Sequence, residues 1–162
     1  MVHCLPQVNG DGENEWECIE SMVDSGAARS VCPVQMCEHE GVMTPHNGPA
    51  YFRTATGARV KNIGLRSLTG VTDNGTELSL AYNVAEVSSP LDSVSQICDK
   101  GNIVIFTQAG GFICGPHGKL AFKRKNDTYV RNTWIRKNPR DKPLSNAMEV
   151  GALQGFPRQG PA

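Results

Sequence analysis

One carboxylate stands where an apolar run gives way to a glycine turn. Cys18-Ile19-Glu20-Ser21-Met22-Val23 leads directly into Asp24-Ser25-Gly26-Ala27. That order suits a carboxylate held at the end of a buried strand on a tight turn. Gly26 lets the backbone approach the carboxylate closely, and the Ser25 hydroxyl can brace the turn. Such a carboxylate can take a proton from a water as a general base. Its plainer reading is an aspartate that caps a strand end.

Two other groups of residues carry chemistry. Cys32, Cys37, His39 and His46 are of the types zinc prefers, but the spacing Cys-x4-Cys-x-His-x6-His is not that of a finger or knuckle. Scattered thiols and surface imidazoles are the preferred reading, and no metal and no cofactor is expected. Between Lys119 and Lys142 stand nine basic residues against Asp127 and Asp141, with Tyr129 and Trp134 among them. Basic and aromatic residues in alternation suit nucleic acid, through phosphate contacts and base stacking. They equally suit a solvated hairpin at a sheet edge. No Gly-x-Ser-x-Gly elbow and no Gly-x4-Gly-Lys-Ser/Thr loop occurs, which sets aside those hydrolase and phosphate-binding schemes.

The elements that must position these residues read as short strands. Trp16 to Val23 is the first core strand. Tyr51-Phe52-Arg53-Thr54 and Arg59 to Ile63 flank Ala55-Thr56-Gly57-Ala58, a hairpin tip. Arg66 to Thr72 and Thr76 to Val87 are split by Asp73-Asn74-Gly75, and Asn-Gly favours a hairpin with positive φ at both central residues. Leu78, Leu80, Tyr82 and Val84 alternate, so that strand buries one face. Ser89-Pro90-Leu91-Asp92 has the form of a helix start, with Ser89 as cap. Leu91, Val94, Ile97 and Cys98 fall on one helical face, and Gly101 ends it. Ile103 to Phe106 reads as a further core strand, and Asn126-Asp127 as a further hairpin turn. Cys32 to Pro49 has no period. Cys18 and Cys114, in apolar stretches, read as small core residues.

Bulk numbers agree with a globular all-β domain. The chain has 162 residues, 39% hydrophobic and 20% charged, with 17 Gly, 10 Pro and few aromatics. No apolar run approaches a membrane span. Met1-Val2-His3-Cys4-Leu5-Pro6 has neither a basic n-region nor an apolar h-region, so an intracellular, cytoplasmic location is expected, with six free thiols rather than a disulfide framework. Net charge is zero, yet residues 1–28 hold six acids and no Lys or Arg.

In order along the chain, Val23-Asp24-Ser25-Gly26-Ala27, the hairpin tip Ala55-Thr56-Gly57, and Leu91-Asp92-Ser93-Val94-Ser95-Gln96-Ile97-Cys98-Asp99-Lys100-Gly101 before Asn102-Ile103-Val104-Ile105-Phe106 together resemble the retropepsin-like aspartic protease region of copia-type retrotransposon polyproteins. There the corresponding segment commonly resembles "LLSVSQLCDKG"; here Asp92 stands for an apolar residue and Ile97 for a leucine. The resemblance spans about residues 16–114. It implies a small closed barrel acting as a homodimer, each subunit contributing one Asp24. It further implies Ser25 hydrogen-bonded across the loop, Gly26 beside the substrate backbone, Ala27 on the floor, Arg29 as a substrate contact, and Ala55, Thr56 and Gly57 as a flap.

The expectation is therefore an all-β, retropepsin-like closed barrel with one short helix and irregular tails. Its parts are a flexible leader (1–14), a protease domain (15–115), a basic hairpin extension (116–138) and a disordered tail (139–162). The substrate would be a peptide or polyprotein, with no membrane partner. The alternative is a catalytically silent module of the same fold, contacting nucleic acid through residues 119–142.

Overall fold

A computed structural model describes residues 15–44, 47–116, 118–137 and 148–149. The expected leader lies outside these residues, as does the expected tail apart from Met148–Glu149. The chain is mostly β-sheet with one short helix. Among the described residues no helix is long and apolar enough to cross a membrane.

Alternation sets the first element. In β1 (Trp16–Asp24) Ile19, Ser21 and Val23 turn inward, and Cys18 and Glu20 face solvent. After β2 (Val31–Pro33), a separate hairpin of β3 (Tyr51–Arg53) and β4 (Arg59–Lys61) precedes the long pair β5 (Gly64–Val71) and β6 (Glu77–Ala85). Leu78, Leu80, Tyr82 and Val84 are all buried, as their alternation requires. Then come β7 (Leu91–Ser93), α1 (Val94–Asp99), β8 (Ile103–Phe106), β9 (Gly110–Gly115), β10 (Gly118–Lys125), β11 (Thr128–Arg136) and the two-residue β12 (Met148–Glu149).

Pairing runs round a ring. Strand β1 lies parallel to β7, β7 antiparallel to β2, β2 parallel to β6, β6 antiparallel to β5, and β5 antiparallel to β11, which returns antiparallel to β1. Strand β11 is shared. Its first part pairs with β10, Trp134 and Ile135 pair with β5, and its other edge runs along β1 from Trp16↔Arg136 to Met22↔Val130. Strands β10, β9 and β8 extend the sheet outward, and β12 lies parallel to β6 at Leu78 and Ser79. The core inside holds Leu68, Leu80, Ile97, Ile113, Leu120 and Ile135 around Tyr82.

Several local expectations are corrected. The helix starts at Val94, and its cap is Ser93, whose Oγ accepts from the Gln96 amide at 3.3 Å; Ser89 is not the cap. Leu91-Asp92-Ser93 is instead drawn into parallel pairing with Met22-Val23-Asp24, a tertiary contact that overrides the local helix signal. Only Ile97 of the expected helical face is buried. Gly101 does end the helix, at φ +83°.

Strand β8 is a sheet edge rather than a core strand, with Ile103, Ile105 and Phe106 exposed. Cys18 is exposed and Cys114 half-buried. The fully buried thiols are Cys32 and Cys37, so the aperiodic 32–49 segment contributes to the core. At Asp73-Asn74-Gly75 only Gly75 takes positive φ, in a longer loop closed by the Thr72 amide on the Thr76 carbonyl. Both central residues are left-handed at Asn126 and Asp127, giving the tight β10–β11 turn.

Candidate active site

Asp24 ends β1, half-buried, with its Cα paired to that of Ser93. Its Oδ1 accepts the Gly26 amide at 2.7 Å. A Cβ on Gly26 would stand 3.2 Å from that same oxygen, so glycine leaves the carboxylate room to keep its position. Ser25 is exposed and makes no hydrogen bond within the described residues. The turn is braced from elsewhere. Ser93 Oγ donates to the Ala27 carbonyl at 2.7 Å, and the Ser30 amide donates to Gln96 Oε1 at 2.6 Å. The Ser93 amide in turn donates to Ser30 Oγ at 3.0 Å. Loop 24–30 is thus clamped by the segment opening α1. Ala27 is half-buried and Arg29 exposed on this loop.

Ala55, Thr56 and Gly57 form the exposed tip of the β3–β4 hairpin, as expected for a hairpin tip. The Thr54 amide donates to the Ala58 carbonyl, the Gly57 amide donates to the Thr54 carbonyl, and Gly57 takes φ +86° with open space around it. The tip's hydrogen bonds are within the hairpin, so tip and Asp24 loop are not joined directly. They are joined at the base. Asn62 Nδ2 donates to the Pro49 carbonyl at 2.9 Å and to Asn83 Oδ1 at 3.2 Å. Asn83 Nδ2 donates to the Ser30 carbonyl, also at 3.2 Å. One chain of amides therefore runs from the hairpin base to the loop that follows Asp24.

Sequence reasoning missed these bracing residues. Ser93 and Gln96 sit in the Ser-Val-Ser-Gln motif, and polar residues on the strand–helix junction were the available signal. It also missed a buried ion pair behind the loop. Asp92 and Arg131 are 1% and 3% exposed. Asp92 Oδ2 accepts from Ser21 Oγ at 2.7 Å and from Arg131 Nε and Nη2 at 3.2 and 3.1 Å, and Oδ1 accepts the Tyr82 hydroxyl at 2.7 Å. Arg131 Nη1 donates to Thr133 Oγ1. Burial works against the Arg131 charge, but the adjoining Asp92 carboxylate outweighs it and holds the guanidinium above its ordinary value. Burial, and then the same carboxylate, push the Tyr82 phenol well above its own.

No group of three or more His, Cys, Asp or Glu placed to hold a metal occurs among the described residues, and His46 lies outside them. Burial pushes the Cys32 thiol up to about 11, against the lowering effect of Arg66, and pushes Cys37 higher still. Such thiols stay protonated at neutral pH. Tyr129 does not offer a free stacking face. Its ring meets Phe106 and Phe122 edge-on at 4.8 and 5.9 Å, and its hydroxyl donates to the Thr107 carbonyl. Compared with known proteins, the chain finds no match: no family model, curated protein or solved structure matches it.

Proposed function

We propose that this chain is an aspartic endopeptidase of retropepsin-like closed-barrel type, active as a homodimer in which each subunit contributes Asp24. The observation that carries the reading is the half-buried Asp24 carboxylate at the end of a strand, on a glycine loop clamped by Ser93 and Gln96. A single carboxylate cannot do this chemistry. Two of them about 3 Å apart cannot both ionise, so they share a proton. One then serves as base on the attacking water while the other, protonated, polarises the scissile carbonyl. Ser25 and Gly26 flank the carboxylate, and Ala27 and Arg29 meet the substrate. The hairpin tip Ala55-Thr56-Gly57 closes over an extended peptide, with Gly57 as the freely moving residue.

Peptide cleavage at mildly acidic pH tests this, comparing the chain with an Asp24→Asn variant over a range of protein concentrations. Cleavage lost in the variant, and rising faster than linearly with concentration, is the expected result. Equal cleavage by both proteins assigns it to a contaminant. No cleavage by either, with the fold intact, overturns the enzyme reading in favour of a silent binding module.

A further inference from the structure

Alternation and register place one set of side chains on the outer face of β8, β9, β10, β11 and β1. Ile105 lies beside Phe112 and Phe112 beside Ala121, while Ile103, Cys114 and Lys119 form the next row. Lys123 lies beside Val130 and Val130 beside Met22; Trp134 lies beside Cys18, and Arg136 beside Trp16. The opposite face carries the buried Ile113, Leu120, Phe122, Thr133 and Ile135. Among the described residues the outer face carries half-buried and exposed side chains, about 20 Å across five strands.

Its cations outnumber its carboxylates. By the same parity Lys119, Lys123, Lys125 and Arg136 stand on this face against Glu20 of β1. Arg131 is taken up in the core by Asp92, Arg124 pairs with Asp127, and Lys125 with Glu20. Lys119 and Lys123 have no carboxylate partner among the described residues. Cations and aromatic planes also coincide on this face. Lys119 Nζ lies 3.7 Å from the Phe112 ring centroid, and the Arg136 guanidinium 4.6 Å from that of Trp16. Between them, a cleft of about 450 Å³ is lined by Lys123, Val130 and Asn132, and walled by Glu20 and by the turn residues Asp73 and Asn74. Trp134 fixes that wall, its indole N–H donating to Asp73 Oδ1 at 2.8 Å. The Asn132 amide at the cleft has no hydrogen-bond partner among the described residues.

We infer that this outer face binds single-stranded nucleic acid, a function separate from the Asp24 loop. Phosphates meet Lys119 and Lys123, bases stack at Phe112 and Trp16, and Asn132 offers both a donor and an acceptor to a base edge in the cleft. An antiparallel face that sets cations beside aromatic rings is the arrangement that serves single strands in sheet-based readers. An apolar peptide would leave the cations without partners. An acidic peptide would not use the aromatic planes.

The test is fluorescence anisotropy of a fluorescein-labelled 12-nucleotide oligouridylate with the full chain, at several salt concentrations, with inorganic polyphosphate and oligoglutamate as competitors. Two phosphate contacts on a single strand predict a loss of affinity of about 7-fold between 50 and 200 mM salt. Lys123→Glu is expected to weaken binding at least tenfold. Phe112→Leu, which keeps the apolar bulk and removes the aromatic plane, is expected to weaken it several-fold, with the melting midpoint unchanged in both variants. Binding that both variants retain in full, or no binding at low salt, overturns the inference. Displacement by polyphosphate or oligoglutamate as effective as by unlabelled oligouridylate also overturns it, since it would make the face a general anion or acidic-peptide site.

Discussion

Cys32 has a thiol without exposure, beside the Arg66 guanidinium that caps the Val34 and Glu40 carbonyls at 3.0 Å. Burial lifts its pKa from 9.0 to about 11 in the folded chain. Between these values the unfolded thiol ionises while the folded one stays neutral, so the folded state binds more protons. Stability is then fully present below pH 9 and falls as pH rises toward 11. The contribution at stake is about 2–3 kcal/mol at the top of that window. Urea unfolding at pH 8, 9, 10 and 11 is expected to show a steepening loss, and Cys32→Ala to flatten it partly. Cys37 and Tyr82 titrate in the same sense and keep some slope. The sequence misplaced the core thiols for a physical reason. Cys18 stands in an apolar run, but its position in the alternation of β1 turns it to solvent, whereas Cys32 and Cys37 lie in an aperiodic segment that enters the core. Apolar neighbours describe a strand's average, and parity decides the individual residue.

At the scale of elements, the hairpin that would cover a substrate is tied to the Asp24 loop through Asn62 and Asn83 rather than by contacts at its tip. Asn83 is 6% exposed and bonds both ways along this chain. Asn83→Leu removes the acceptor for Asn62 and the side-chain donor to Ser30 at once. Hydrogen exchange of residues 51–61 is expected to speed up by about tenfold in this variant, while the amides of β5 and β6 keep their protection. Unchanged exchange in the hairpin would mean that the other bonds of Asn62, those to the Pro49 and Ala50 carbonyls among them, are sufficient to hold it. The hairpin, its glycine tip and the Asp24 turn were legible in the sequence because each is a local pattern of strand residues and turn residues. The clamp was not legible, because Ser30, Asn83, Ser93 and Gln96 meet only once β2, β6 and β7 are neighbours. The same long-range pairing turned Leu91-Asp92-Ser93 from an expected helix start into a strand.

On the scale of the molecule, the decisive strand is β11. The basic stretch 116–138 reads in sequence as an extension, yet its second strand lies between β5 and β1 and closes the ring. It also brings Arg131 to Asp92, which lies next to the Ser93 clamp. Without β11, β1 and β5 would each present an unpaired edge, and Asp92 would be buried with no cation beside it. Removing one partner of such a buried pair costs about 3–5 kcal/mol, a large part of the stability of a domain this size. A chain ending at Gly115 is therefore expected to lack cooperative thermal unfolding and a dispersed amide spectrum, although it keeps the whole Asp24 loop and hairpin. Arg131→Ala in the intact chain is expected to lower the melting midpoint by about 10 °C and to leave the transition cooperative. If the shortened chain folded cooperatively, β11 would be an appendage, and the buried pair would be dispensable to the loop it backs. The ring closure predicts the opposite, because the loop's carboxylate strand, β1, is held by β7 on one side and by β11 on the other.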